Sequence, residues 1–171
     1  MMSFRTLLAA AAAALTLSPA HAHDAPMEHP EGVIHVHDAY ARVSGTASGA
    51  VFFLIHNNTQ TDDRLVGVRS DVAKRAELHT SVEKDGVMSM VALEDGIALP
   101  WGEMHELARG GDHVMLMGLT APLKDGDTFA LTLVFDHAPE MTIEVTVDNA
   151  RKAGEGGMDD MEGMDHSGHG G

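Results

Sequence analysis

Hydrophobic and polar positions alternate with a period of two along most of this chain. In "DHVMLMGL", residues 112–119, His113, Met115 and Met117 take every second position, with Val114 and Leu116 between them. A strand sends successive side chains to opposite faces, so the histidine and methionines line one face and the Val/Leu pair the other. The alternation is as clean near the C-terminal end. Phe129, Leu131, Leu133 and Phe135 share one face of a strand, and Met141, Ile143, Val145 and Val147 share a face of the next. "VIHVHDAYARV", "SGAVFFLIHN", "DRLVGVRS" and "AKRAELHTSV" add further strand-like runs bounded by turn signals, and no window sustains a helical period. About eight or nine short strands between Val33 and Asp148 predict an all-β, antiparallel sandwich or barrel.

One turn fixes a register. In "AELHTSVEKDGVMSMVAL", residues 76–93, Asp85-Gly86 between two alternating runs is a two-residue hairpin signal. Lys84 then pairs with Val87. Leu78, Thr80 and Val82 stand opposite Leu93, Val91 and Ser89 on the side expected to face the core. The other face carries His79, Ser81 and Glu83 opposite Ala92, Met90 and Met88, which makes His79 and Met90 diagonal neighbours.

Two segments therefore direct a His and a Met away from the leucine side: His79 with Met90, and His113 with Met115. Composition sharpens this reading. The chain has 12 Met, 12 His and no Cys, which removes disulfides, thiolate ligands and blue-copper sites of the His₂Cys type. Imidazole with thioether is a soft donor set suited to Cu(I), whereas zinc more often recruits Cys, or His with Asp or Glu. Any one of the four alone reads as core filler or a hydrogen-bonded histidine; their coincidence on non-core faces reads as a site.

The ends of the chain set the compartment. "MMSFRTLLAAAAAALTLSPAHA" has an early Arg5, an apolar alanine-rich run and Ala20-His21-Ala22, as in a secretory signal peptide cleaved after Ala22. Export to the periplasm without stable membrane insertion is expected. The formal charge is −15 before Arg5 is lost with the signal, which argues against nucleic acid as a partner. Residues 23–32 read as a flexible leader, 33–150 as the domain and 151–171 as a disordered tail. From 153 onward the tail has no Val, Ile, Leu or aromatic residue, yet carries Met158, Met161, Met164, His166 and His169.

With these residues in view, the sequence resembles the periplasmic PCuAC-type copper chaperones linked to the CuA site of cytochrome c oxidase. Their signature is a His, ten residues, a Met, a gap in the low twenties, then His-x-Met. Here ten residues separate His79 from Met90, and 22 more precede His113-Val114-Met115. "DDRLVGVRS", "GGDHVMLMGLTAPLKDGD" and "LTLVFD" match as well. The resemblance implies a cupredoxin-like β-sandwich holding a single Cu(I) on His79, Met90, His113 and Met115. It implies a secondary copper locus, for Cu(I) or Cu(II), in the tail. It also implies the CuA subunit or a thioredoxin-like assembly factor as acceptor. Thr80 departs from the family, where many members have Met after the first His, but in the hairpin register it lies on the opposite face. Met88 and Met117 share the ligand face outside the spacing. His35 and His37 suggest a weak surface site without an identifiable partner, Trp101 a loop anchor, and Met104 and His105 opposite faces of one strand. Copper buffering, and a copper enzyme using His23 as a mature N-terminal ligand with His29 nearby, are the competing functions; an adhesion-type sandwich predicts no copper binding.

Overall fold

The computed structural model describes residues 32–45 and 47–152; the signal, residues 23–31 of the leader and residues 153–171 of the Met/His-rich tail lie outside them. The described chain is all β: β1 (Ile34–Ser44), β2 (Ser48–Asn57), β3 (Asp63–Arg69), β4 (Ala73–Lys84), β5 (Val87–Ala92), β6 (Ile97–Leu99), β7 (Met104–Leu107), β8 (Asp112–Leu119), β9 (Thr128–Phe135) and β10 (Met141–Val147). The strands run in the order β5-β4-β8-β2-β1-β10-β9-β3-β6, with β7 joined to β2 beside β8. The order does not close on itself, and β3 lies next to β4 without pairing to it.

Ten strands exceed the expected eight or nine because β6 and β7, with three and four residues, are too short to carry a readable period. Pairing is antiparallel throughout except between β1 and β10, which run parallel with Tyr40 beside Thr146 and Ala41 beside Val147. That contact closes the first strand onto the last. The chain stays packed as far as Arg151, whose guanidinium lies 4.4 Å above the Tyr40 ring.

One face of each long strand forms the core. Val51, Phe53 and Ile55 of β2, Val114 and Leu116 of β8, Leu131 and Leu133 of β9, and Val145 and Val147 of β10 are all buried there. The Phe129–Phe135 alternation points inward as expected. The hairpin forms in the expected register, from Lys84 beside Val87 to His79 beside Ala92. Asp85 and Gly86 both have positive φ, at 55° and 77°, as a two-residue hairpin turn with the right-handed twist of its strands demands. The expected core side holds only at the hairpin's base, where Leu78 is buried and Leu93 half-buried; Val82 and Val91 further out are exposed. Alternation identifies a face, but the strand outruns the sheet behind it.

Two buried polar side chains brace the loops. Asn57 donates to the carbonyls of Leu99 (2.7 Å) and Thr61 (2.9 Å), and its Oδ1 accepts from the Thr59 hydroxyl at 2.6 Å. Asp63 accepts from the backbone N–H groups of Arg64, His137 and Ala138 at 2.7, 3.0 and 2.8 Å. Burial alone would raise the Asp63 pKa, but these donors and the His137 ring outweigh it and hold the carboxyl below the usual range.

A carboxyl whose pKa is lowered by folding stabilises above its unfolded pKa, and that contribution is lost as acid protonates it. Asp63→Ala is expected to cost about 3 kcal/mol at neutral pH, because buried N–H donors lose a charged acceptor. Thermal unfolding followed by circular dichroism checks this. As pH falls below about 4 and through the lowered folded pKa, the Tm gap between variant and parent should narrow.

Candidate metal centre

β8 lies between β4 and β2, and its register sets the centre. His113 stands directly opposite His79 on β4, and Met115 stands between Glu77 on β4 and Ala50 on β2. Across the hairpin Met90 faces Ser81, one step along the same face from His79. The four sequence-identified residues therefore share one face of three adjacent strands. The His79 and His113 ring centres are 6.1 Å apart. That is within the span of one ion held at about 2.0–2.1 Å from a nitrogen of each ring.

The two imidazoles are prepared alike, each by the residue two positions earlier in the chain. His113 Nδ1 lies 3.0 Å from the Gly111 carbonyl. A carbonyl only accepts, so in the neutral ring Nδ1 carries the proton and Nε2 keeps a free lone pair. His79 Nε2 lies 3.2 Å from a Glu77 carboxylate oxygen, which likewise leaves Nδ1 as the acceptor nitrogen. Among the described residues, His79 Nδ1 and His113 Nε2 are the buried side-chain polar atoms without a hydrogen-bond partner. A buried polar atom left unpaired costs about 1–3 kcal/mol. Two of them on facing side chains describe a place for a Lewis acid. Glu77 is itself tied to Arg75 at 3.5 Å, an arrangement in which carboxylate and imidazole are both oriented from behind.

The centre is less open than alternation alone suggests. His113 is 3% exposed, because Phe52, on the same face of β2, is itself buried and lies 6.3 Å away ring to ring. Tyr40, Phe52, His113 and His79 form a row of rings crossing four strands. Met115 is half-buried, whereas Met90 is 61% exposed. A cavity of about 160 Å³ is lined by Met90, Ser81, His113, Phe52, Ala50 and the Arg109–Gly110 loop. Its lining brings the His113 imidazole and the Met90 sulfur together, with the Ser81 hydroxyl beside them. No group of three or more His, Asp or Glu converges anywhere among the described residues, so a hard or zinc-type ligand set is not formed there.

The remaining candidates separate. The Met117 sulfur accepts a hydrogen bond from Arg75 at 3.4 Å, and Met88 sits beside Glu83 toward the hairpin tip. His105 pairs with Asp112 at 2.9 Å while Met104 lies on the other face of β7. Trp101 holds its loop through its backbone N–H, which donates to Asp62, and its ring is exposed, so the side chain is not the anchor expected. Met158, Met161, Met164, His166 and His169, with His23 and His29, lie outside the described residues. Sequence reasoning missed Glu77, Phe52, Ala50 and Gly111. Only Glu77 had a signal: it stands two residues before His79 and so on the same face.

Comparison with known proteins places this geometry. The family model described as LpqE-like, a lipoprotein family, matches residues 34–147. The protein Lxx21020 of Leifsonia xyli subsp. xyli is 33% identical over 130 residues, covering 76% of this chain and 78% of that one. The uncharacterised protein RP573 of Rickettsia prowazekii is 27% identical over 124 residues, covering 70% and 68%. Among solved structures, the copper-bound PCuAC domain of PmoF2 has a TM-score of 0.57 and 27% identity, covering 70% of this chain and 96% of that domain. The Cu(I) form of DR1885 from Deinococcus radiodurans has a TM-score of 0.53 and 26% identity, covering 71% and 80%. With a family model spanning β1 to β10 and solved PCuAC domains sharing the cupredoxin-like arrangement, the chain belongs to the LpqE-like family and its sandwich is a PCuAC-type domain.

Proposed function

We propose that this protein is a copper carrier of the cell envelope that binds Cu(I) through His79, Met90, His113 and Met115 and passes it on by ligand exchange. The observation that carries the reading is the pair of buried, unpartnered imidazole nitrogens on facing strands, with thioethers on the same face. Neutral nitrogen and sulfur donors with no carboxylate among them favour a soft monovalent ion. The copper-bound state of a PCuAC domain with the same fold supports copper as cargo. A family named for lipoproteins fits export, the periplasm being the compartment proposed; no helix among the described residues is long and apolar enough to cross a membrane.

The gradient of burial gives transfer an order. Met90, exposed on the hairpin, is the ligand an incoming donor atom reaches first, and Met115 follows. The histidines, His113 buried and both tied from behind, release last. Copper would thus never be bare, because each leaving thioether is replaced before the imidazoles let go. The CuA subunit of cytochrome c oxidase, or a thioredoxin-like factor acting before it, is the acceptor class proposed. The reading is of a carrier rather than an enzyme, with the tail methionines and histidines as an auxiliary locus for Cu(I) or Cu(II) that raises local copper concentration.

Competition for Cu(I) against a chromophoric chelator, in the full chain so that the tail contributes equally, tests the ligands. His113→Ala is expected to weaken the tightest site at least a hundredfold, and an unchanged affinity overturns the assignment. Met90→Ala should cost less affinity than His113→Ala but speed copper loss to the chelator, since it removes the outermost ligand. Glu77→Gln keeps the shape but weakens the acceptor for His79 Nε2–H, and about a tenfold loss of Cu(I) affinity is expected, in the range for groups that orient a ligand. In cells, a deletion strain separates delivery from buffering. Loss of oxidase activity under scarce copper supports delivery; sensitivity to excess copper alone supports buffering.

A further inference from the structure

A second set of soft donors lies on the same face, centred on β2. His35 of β1 stands directly opposite His56 of β2, and His56 stands directly opposite Met104 of β7. A His–His–Met row thus runs across three neighbouring strands. Directly opposed residues have Cβ atoms about 4.5–5.5 Å apart, so two imidazoles and a thioether can meet one ion above the middle strand. Sequence spacing hides this row, because its members are 21 and 48 residues apart. Only the β1–β2–β7 pairing assembles it.

We propose that His35, His56 and Met104 form a second Cu(I) site, distinct from the centre on β4, β5 and β8. Three observations support it. First, Met104 is 41% exposed on a face it shares with half-buried His35 and His56. A methionine so placed adds little to a core, but as a thioether ligand it is reachable. Second, the scaffold beneath is held firmly. The Asn57 N–H donates to the Glu103 carbonyl at 3.0 Å and the Gly102 N–H to the Asn57 carbonyl at 2.8 Å, while the buried Asn57 side chain ties the same corner to β6. These bonds fix Met104 in register with His56. Third, the His37 ring is stacked beside that of His35, ring centres 6.1 Å apart and planes 20° from parallel.

The donor set selects the ion. No third histidine or carboxylate converges with His35 and His56 among the described residues. Glu106, the nearest carboxylate along that face of β7, belongs to the next row beside Leu54. Among the described residues zinc would therefore find two nitrogens and no hard third ligand, whereas Cu(I) accepts two nitrogens and a thioether. His56 lies four positions along β2 from Phe52, which abuts His113, a distance of about 13 Å. The two sites therefore both border β2 but share no ligand. Copper as the cation rests on the carrier reading above; the site itself rests on strand pairing.

Anaerobic Cu(I) titration of the full chain, labelled with ¹³C at the methionine methyls, reads each site separately. Met90 and Met115 report the first centre and Met104 the second. The Met104 methyl should shift on adding copper, and should still shift in the His79→Ala/His113→Ala double variant, where the first centre is broken. In His56→Ala that shift should be lost while Met90 and Met115 still respond. Met104→Leu, a volume-conserving change at an exposed position, should lose one equivalent of bound copper without altering Tm. A Met104 methyl that does not move at saturating copper, or that moves as before in His56→Ala, overturns the second site. Silence of Met90 and Met115 instead, with Met104 responding, refutes the first centre and leaves the second standing.

Discussion

The functional architecture depends on the register between β4 and β8, which sets His79 directly against His113. Strand side chains repeat with period two, so a slip of one residue would turn His113 into the core and expose Val114. Two features prevent it. Val114 and Leu116 are fully buried on the opposite face, so a slip would expose apolar surface worth roughly 1.5–3 kcal/mol per side chain. The Ser81 N–H also donates to the Gly111 carbonyl at 3.2 Å, pinning the hairpin beside the loop whose same carbonyl receives His113 Nδ1–H. One carbonyl oxygen therefore couples strand alignment to imidazole tautomer.

That coupling explains why both open nitrogens lie where they do. Orienting a histidine by a hydrogen bond to its other nitrogen determines the tautomer as well as the ring plane. Here the two orienting groups differ. Gly111 supplies a neutral carbonyl and Glu77 a carboxylate partly engaged by Arg75. Each acceptor fixes one ring nitrogen and leaves the other unpartnered on the same face, Nδ1 of His79 and Nε2 of His113, the latter packed near Phe52. Depth separates the extremes of the set, 3% exposure at His113 against 61% at Met90, with His79 and Met115 half-buried between them.

Much of this was legible in the sequence, and the reasons for success and failure are physical. Asp85-Gly86 is a turn whose geometry admits one register, so the pairing of His79 with Ala92 and Ser81 with Met90 could be counted from the loop. The β9 and β10 alternations were equally direct, because their inward faces are uniformly apolar. Illegible were features that need long-range pairing. β6 and β7 have too few residues for a period, and the parallel β1–β10 contact joins opposite ends of the domain. The depth of His113 depends on Phe52, 61 residues earlier and on a different strand. Val82 and Val91 were misread for a related reason: their alternation is correct, but only the base of the hairpin has a layer to pack against.

The sandwich separates two tasks by face, and this bears on how its chemistry can vary. On β2, Val51, Phe53 and Ile55 fill the core while Ala50, Phe52, Leu54 and His56 face the metal side. A substitution on the second set changes donors or access without opening a cavity in the first, so stability and ligand choice are nearly independent along the same ten residues. Thr80 illustrates this. Adjacent to His79 in sequence, it points to the opposite face, and its side chain is remote from the ligand set despite its position in the motif. The absence of cysteine fits the same logic. Thioethers do not form disulfides, so a face built from histidine and methionine loses no donor by that route.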